Sequence, residues 1–177
     1  YKLIAEKYGA IVPYIRPKSI SDDLSTDYEF IKYHLDWCNL NKKNIPDLIV
    51  QLRPTYPNRN LIHLNNSIEI MINKYKEYDS LRSVIKFEKS PFKMYLINEN
   101  KLKPLFNNIN NIKEPYNKCR QVLPDTYLHN GYIDIIKTST VINKKSVTGD
   151  KIYPYIMNSE EINDIDTFED WEKSLIN

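Results

Sequence analysis

The sequence predicts an α/β domain, and three observations carry that prediction. Leu48, Ile49, Val50 and Leu52 form a short apolar run of the kind shown by a buried central parallel strand, and Pro54 and Pro57 stop it because proline cannot donate to a strand ladder. Leu61, Leu64, Ile68, Met71, Ile72 and Tyr75 then recur at helical spacing on one face, which makes the next segment a helix covering the sheet. Leu81 to Phe87 reads as a second strand, so the three segments together form a right-handed crossover with parallel strands.

Taken in order, Tyr1 to Tyr8 is predicted as the end of a helix with Gly9 as its stop signal. Ala10 to Ile15 is predicted as a short strand that delivers Arg16 and Pro17 into a loop. Thr26 and Glu29 have the spacing of a capping box, opening a helix whose stripe is Phe30, Ile31, His34, Leu35 and Cys38. His34 on that stripe reads as a core histidine satisfied by one hydrogen bond, and His63 and His129 have no partner at a triad or metal spacing. After the crossover, residues 90–124 change to short apolar pairs separated by Asn, Lys and Pro. This predicts an inserted hairpin arm with a poorly specified loop around Asn107 to Asn111. Asn130-Gly131 is a turn signal ahead of a strand from Tyr132 to Ile136, Val147 to Gly149 reads as a turn, and Ile152 to Met157 as a further strand. A final helix starts near Thr167 and is expected to bury Phe168, Trp171 and Leu175.

Length and composition exclude several classes. The 177 residues suffice for one domain with a sizeable core, and 41% hydrophobic with 27% charged residues falls in the soluble globular range. No apolar run approaches a membrane span or a signal-peptide core, so no membrane partner and a cytoplasmic setting are expected. The net charge of +2, with Lys and Arg scattered among 23 acidic residues, gives no basic stripe for a nucleic acid. Cys38 and Cys119 offer neither a disulfide framework nor a metal spacing. Glycines occur only at 9, 131 and 149, so the chain has no Gly-rich loop whose amides could wrap a triphosphate.

Two stretches point to chemistry. Arg53, Thr55 and Arg59 follow the first strand, and in open α/β sheets ligands bind beyond the carboxyl ends of strands. Two guanidiniums there suit a phosphate or carboxylate, against the alternative of a solvated loop. In Asp164-Ile-Asp166 the carboxylates are two apart, so an extended segment aims both to one side, where they can share a hard cation such as Mg²⁺. Alternatively Asp164, Asp166, Glu169 and Asp170 complement the amino terminus of the last helix.

Four segments in order carry a family resemblance: Val12-Pro-Tyr-Ile-Arg-Pro17 followed by Asp23 and Thr26, Leu52-Arg-Pro-Thr-Tyr-Pro-Asn-Arg59, Arg120-Gln-Val-Leu-Pro124 with Asn130-Gly131, and Asp164-Ile-Asp-Thr167. With these the chain resembles, over nearly its whole length, the acylneuraminate cytidylyltransferases, the CMP-sialic acid synthetase family that includes relatives acting on legionaminic and pseudaminic acids. The resemblance implies a Rossmann-like nucleotidyltransferase, a three-layer sandwich forming a single domain over 1–177. Its inserted arm, 90–124, would meet the second subunit of a homodimer and help hold substrate. It implies transfer of CMP from CTP to an acidic keto sugar with release of pyrophosphate. Arg16 would then contact the nucleotide, Arg53, Lys93 and Arg120 the sugar acid, and Asp164 and Asp166 would be the catalytic metal ligands for Mg²⁺. The sequence departs from the family at Arg53, where glutamine is common, at Leu128, where arginine is frequent, and at Asp134, where tyrosine is common. The family's Gly-rich nucleotide loop precedes anything matching Tyr1. The chain alone is therefore expected to be inactive, and the alternative reading is a truncated, non-catalytic paralogue that binds a sugar acid or pairs with a full-length subunit.

Overall fold

The computed structural model describes residues 1–158, 164–165 and 167–175. In chain order the elements are α1 (Lys2–Lys7), α2 (Asp27–Leu40), β1 (Leu48–Gln51), α3 (Leu61–Asn73), β2 (Ser80–Phe87), β3 (Tyr95–Asn98), β4 (Lys101–Pro104), β5 (Asn108–Ile109) and β6 (Ile112–Lys113). They continue with β7 (Thr126–Lys137), α4 (Thr138–Lys144), β8 (Ile152–Met157) and α5 (Phe168–Ser174). The main sheet has the order β1-β7-β2-β8. β7 runs antiparallel to both neighbours, and β8 is parallel to β2.

Local chemistry fixes the helices. Thr26 opens α2 through the expected capping box, its amide donating to Glu29 Oε2 at 2.6 Å, and Asn60 Oδ1 caps α3 by accepting from the Ile62 amide at 2.9 Å. Gly9 stops α1 with φ +86°. Two apolar clusters then clamp the sheet from opposite faces. Met71 of α3 packs on Leu81, Ile133 and Ile135, whereas Ile31 and Leu35 of α2 meet Ile136 and Val141 of α4. Strand alternation along β7 sends its side chains to the two helical layers in turn.

Four expectations need correction. β1 lies at an edge of the sheet rather than at its centre: β1 and β2 are parallel, but β7 stands between them. That pairing joins segments some 80 residues apart, and no local pattern encodes it. Residues 10–15 form no strand among the described residues; Pro13 interrupts them and Ile11 and Ile15 stay exposed. The segment 107–111 is a tight hairpin, β5–β6, with Asn110 and Asn111 at φ 46° and 66°, the left-handed pair that a two-residue turn needs. α5 leaves Phe168, Trp171 and Leu175 exposed instead of burying them.

Asn130-Gly131 also departs from expectation, because it sits inside one long strand. β7 pairs Asp134 with Arg82 and then His129 with Val84, so residues 130–133 bulge opposite Ser83 alone. Gly131 supplies φ +71°, and Ser83 Oγ stitches the bulge, accepting from the Ile133 amide at 2.8 Å and donating to Asn130 Oδ1 at 2.6 Å. A dipeptide suited to positive φ serves a bulge as readily as a turn.

Candidate functional site

β1, β2 and β8 all run toward one edge of the sheet, so the segments that leave them share that edge. The bulge shapes it. Tyr56 donates its hydroxyl to the Asn130 carbonyl, and Arg59 donates to the carbonyls of Arg53 at 2.5 Å, Tyr56 at 2.6 Å and Tyr132 at 3.1 Å. Arg59 is thereby spent on the backbone of its own loop, and burial lowers its pKa. It is a clamp rather than a ligand group.

Arg16 and Arg53, the two arginines that the sequence singles out on either side of α2, line one cleft of about 560 Å³ with Asp27, Tyr14, Phe30 and His34. Arg16 Nε donates to Ser21 Oγ at 3.1 Å, and its guanidinium lies over the Phe30 ring at 5.5 Å. Tyr14 and His34 share a hydrogen bond at 3.0 Å through Nδ1, and Cys38 Sγ lies 3.6 Å from the other ring nitrogen. His34 thus has one more partner than expected. Burial, with Tyr33 and Cys38 beside it, pushes the Tyr14 phenol up and keeps its proton in place.

Arg53 is held by carboxylates. Its guanidinium donates to Asp27 Oδ2 at 2.8 Å and stands 3.7 Å from Asp134 Oδ2. Asp134 is 2% exposed and also faces Arg82 Nε at 3.5 Å and His129 Nε2 at 2.9 Å. Asp27, Arg82, Asp134 and His129 were not marked as a group by the sequence. A carboxylate within the apolar run Tyr132-Ile-Asp-Ile-Ile136 was the available signal, since a charge buried there must be paired.

Arg120 is elsewhere. It lines a second, more polar cavity of about 330 Å³ at the base of the arm, with Glu88, Ser90, Gln121 and Thr126. Phe87 pairs with Thr126 there, while Gln51 lies level with Arg82, so β2 continues through residues 83–87 beyond the end of β1. At about 3.3 Å per residue that offset is roughly 16 Å. Arg120 approaches Glu88 at 3.9 Å with its side chain 58% exposed, and the Ser90 hydroxyl beside it is buried without a hydrogen-bond partner. Lys93 ends the short turn Pro91–Lys93 at the start of the arm and is exposed. The structure therefore brings Arg16 and Arg53 together but sets Arg120 apart from them.

Asp164 lies against the loop after β1, because the amide of Ile165 donates to the Thr55 carbonyl at 3.0 Å. Its Oδ1 is buried with no hydrogen-bond partner, a state in which a hard cation would serve as the missing partner. Asp166 lies outside the described residues. Of the four residues in the helix-terminus alternative, Asp170 serves that end: Thr167 and Asp170 cap α5 reciprocally, the Thr167 amide donating to Asp170 Oδ2 at 2.9 Å and the Asp170 amide to Thr167 Oγ1 at 3.2 Å. No group of three or more His, Cys, Asp or Glu side chains gathers at metal-binding distance among the described residues, and none of their helices is long and apolar enough to cross a membrane. Compared with protein-family models and with curated proteins, the chain matches none.

Proposed function

We propose that the chain is a cytidylyltransferase-type domain of Rossmann-like architecture, acting in the cytoplasm on CTP and an acidic keto sugar such as sialic, legionaminic or pseudaminic acid. The observation that supports this reading best lies at the carboxyl edge of β1, where Arg16 and Arg53 line one cleft and the segment carrying Asp164 is hydrogen-bonded to Thr55 of the adjoining loop. In the reaction the anomeric hydroxyl of the sugar acid attacks the α-phosphorus of CTP, the bond to the β-phosphate oxygen breaks, and pyrophosphate leaves. Chemistry of that kind asks the protein mainly for charge neutralisation and alignment. Arg16 binds the nucleotide anion and Arg53 orients the acceptor in the cleft, whereas Arg120 and Lys93, which the resemblance also assigns to the sugar acid, stand apart at the base of the arm. Mg²⁺ would be held by Asp164, whose orphaned oxygen fits a hard cation, together with Asp166; when bound it neutralises phosphate charge.

The arm supports the homodimer reading. Its β3–β4 hairpin places Tyr95, Ile97, Leu102 and Pro104 on one face, and Ile97 and Leu102 remain 77% and 67% exposed. Two strands with an uncovered apolar face are marginal in water, and a second subunit would cover them.

A second reading is a sugar-acid-binding paralogue without turnover, favoured by Arg53, whose guanidinium is already paired with Asp27 and Asp134 and so suits hydrogen bonding to a bound sugar better than neutralising phosphate charge. One assay set separates the two. Pyrophosphate release is measured with CTP, Mg²⁺ and a panel of keto sugar acids, alongside calorimetric binding of each sugar. Release that needs both substrates supports transfer, binding without release supports the second reading, and absence of both removes the family reading.

A further inference from the structure

The two arginines of the cleft differ in the charge they can offer. Arg53 stands against two carboxylates before any ligand arrives, Asp27 at 2.8 Å and Asp134 at 3.7 Å. Asp134 is too buried to be left unpaired, and it draws its partners from three places: Arg53 after β1, Arg82 on β2 and His129 on β7 itself. Gly131 completes the arrangement, since a Cβ there would come within 3.0 Å of Arg53 Cδ and Nε, so the arginine stem lies directly on the bulge. Arg16 has a hydroxyl and an aromatic ring for partners and no carboxylate among the described residues.

We infer that Asp134 is a positioning residue that holds Arg53 against the cleft as a charge-compensated hydrogen-bond donor. Arg53 then meets a neutral oxygen of the ligand, a hydroxyl or an amide carbonyl, and Arg16 takes its anionic group. A guanidinium paired to carboxylates keeps donors on its outer rim but has little net attraction left for an anion, whereas an unpaired one retains both. The inference rests on the cleft being a binding site, and it is independent of whether CMP is transferred there.

Inorganic phosphate serves as the anion probe, titrated against the whole chain and followed by NMR shifts of the cleft residues. Arg16→Gln is expected to weaken phosphate binding roughly tenfold, the order of one charge-assisted hydrogen bond, and Arg53→Gln to change it less than about twofold. Asp134→Asn keeps the shape and removes one of the two carboxylates against Arg53, with Asp27 still at 2.8 Å, so binding should tighten roughly threefold, and adding Arg53→Gln should remove that gain. If Asp134→Asn fails to fold, Asp27→Asn releases Arg53 from the more exposed side and should tighten binding in the same direction. Phosphate affinity unchanged in the folded Asp→Asn variant, or lost equally on replacing either arginine in the parent, overturns the inference. A failed pyrophosphate assay leaves it standing, because the titration uses neither CTP nor sugar.

Discussion

The two edges of the main sheet treat their buried polar groups in opposite ways. At the amino edge Asp79 Oδ2 accepts from Lys144 Nζ at 2.7 Å and from the amides of Asp150 and Lys151 at 2.9 and 3.0 Å, while its backbone carbonyl accepts from the Lys137 amide and the Thr140 hydroxyl. Thr138 closes the end of β7 onto Pro46 and Asp47. At the carboxyl edge Ser90 Oγ and Asp164 Oδ1 are buried without a hydrogen-bond partner, and Arg82 Nε has only its 3.5 Å ion pair with Asp134. Native folds satisfy nearly all such atoms, so unsatisfied ones gathered at the ligand-binding edge of an α/β sheet mark capacity held for something else. One edge is finished structure. The other keeps hydrogen-bonding potential in reserve.

The largest effect should come from breaking the finished edge. Asp79→Ala leaves the Asp150 and Lys151 amides without their acceptor and Lys144 with Asp150 alone, and is expected to cost roughly 2 kcal/mol of stability, read from denaturant midpoints. The same group sets an acid response. The hydrogen bond from Lys144, with those from the Lys151 and Asp150 amides, outweighs burial and holds the Asp79 carboxyl down at about 2. A depressed carboxyl contributes fully above its unfolded value near 4 and loses that contribution as pH falls from about 4 to about 2. The parent should lose stability over that window and Asp79→Ala should be flatter there. Equal slopes would remove Asp79 from this role.

Next, and of similar size, is Gly131→Ala, where the finished core meets the reserved edge. The left-handed φ of +71° costs an L-residue about 1–2 kcal/mol, and the added methyl presses on Arg53. A loss of roughly 2 kcal/mol is expected, together with shifted NMR signals for Arg53 and Asp27. Lost stability with an unmoved Arg53 would mean that the bulge does not position the cleft.

How much of this was legible in the sequence follows the range of the interactions. Thr26 with Glu29, the helix α3 and the strand β8 are local signals and fold where their patterns predict, although Leu61 and Ile72 of the α3 stripe stay exposed. The position of β7 between β1 and β2 is a long-range pairing, so β1 could be recognised as a strand but not as an edge. Arg53 was identifiable from its place between β1 and Pro54, whereas Arg16 was marked by the family resemblance alone, since the strand expected before it does not form. Asp134 was not identifiable, because its partners come from segments far apart in sequence, and only the fold shows that it compensates Arg53. Arg59 shows the reverse error: a guanidinium in the right loop whose donors the backbone has already taken.

The smallest effect on stability is expected at Asp164, and it bears most directly on the reserved edge. If Asp164 served the helix, replacing it would loosen α5; but the reciprocal Thr167–Asp170 bonds already cap that helix, and Oδ1 of Asp164 makes no hydrogen bond. Asp164→Asn keeps the volume and removes a charge from a partly buried place, so stability without metal should change by less than about 0.5 kcal/mol, in either direction. The difference should emerge on adding Mg²⁺. A cation bound only by the folded state raises the unfolding midpoint in proportion to its occupancy, and the variant should lose that rise. Thermal scans of both proteins over a Mg²⁺ series decide the matter: an equal rise in parent and variant would take Asp164 out of the metal site, and a variant destabilised before any metal is added would return it to the helix.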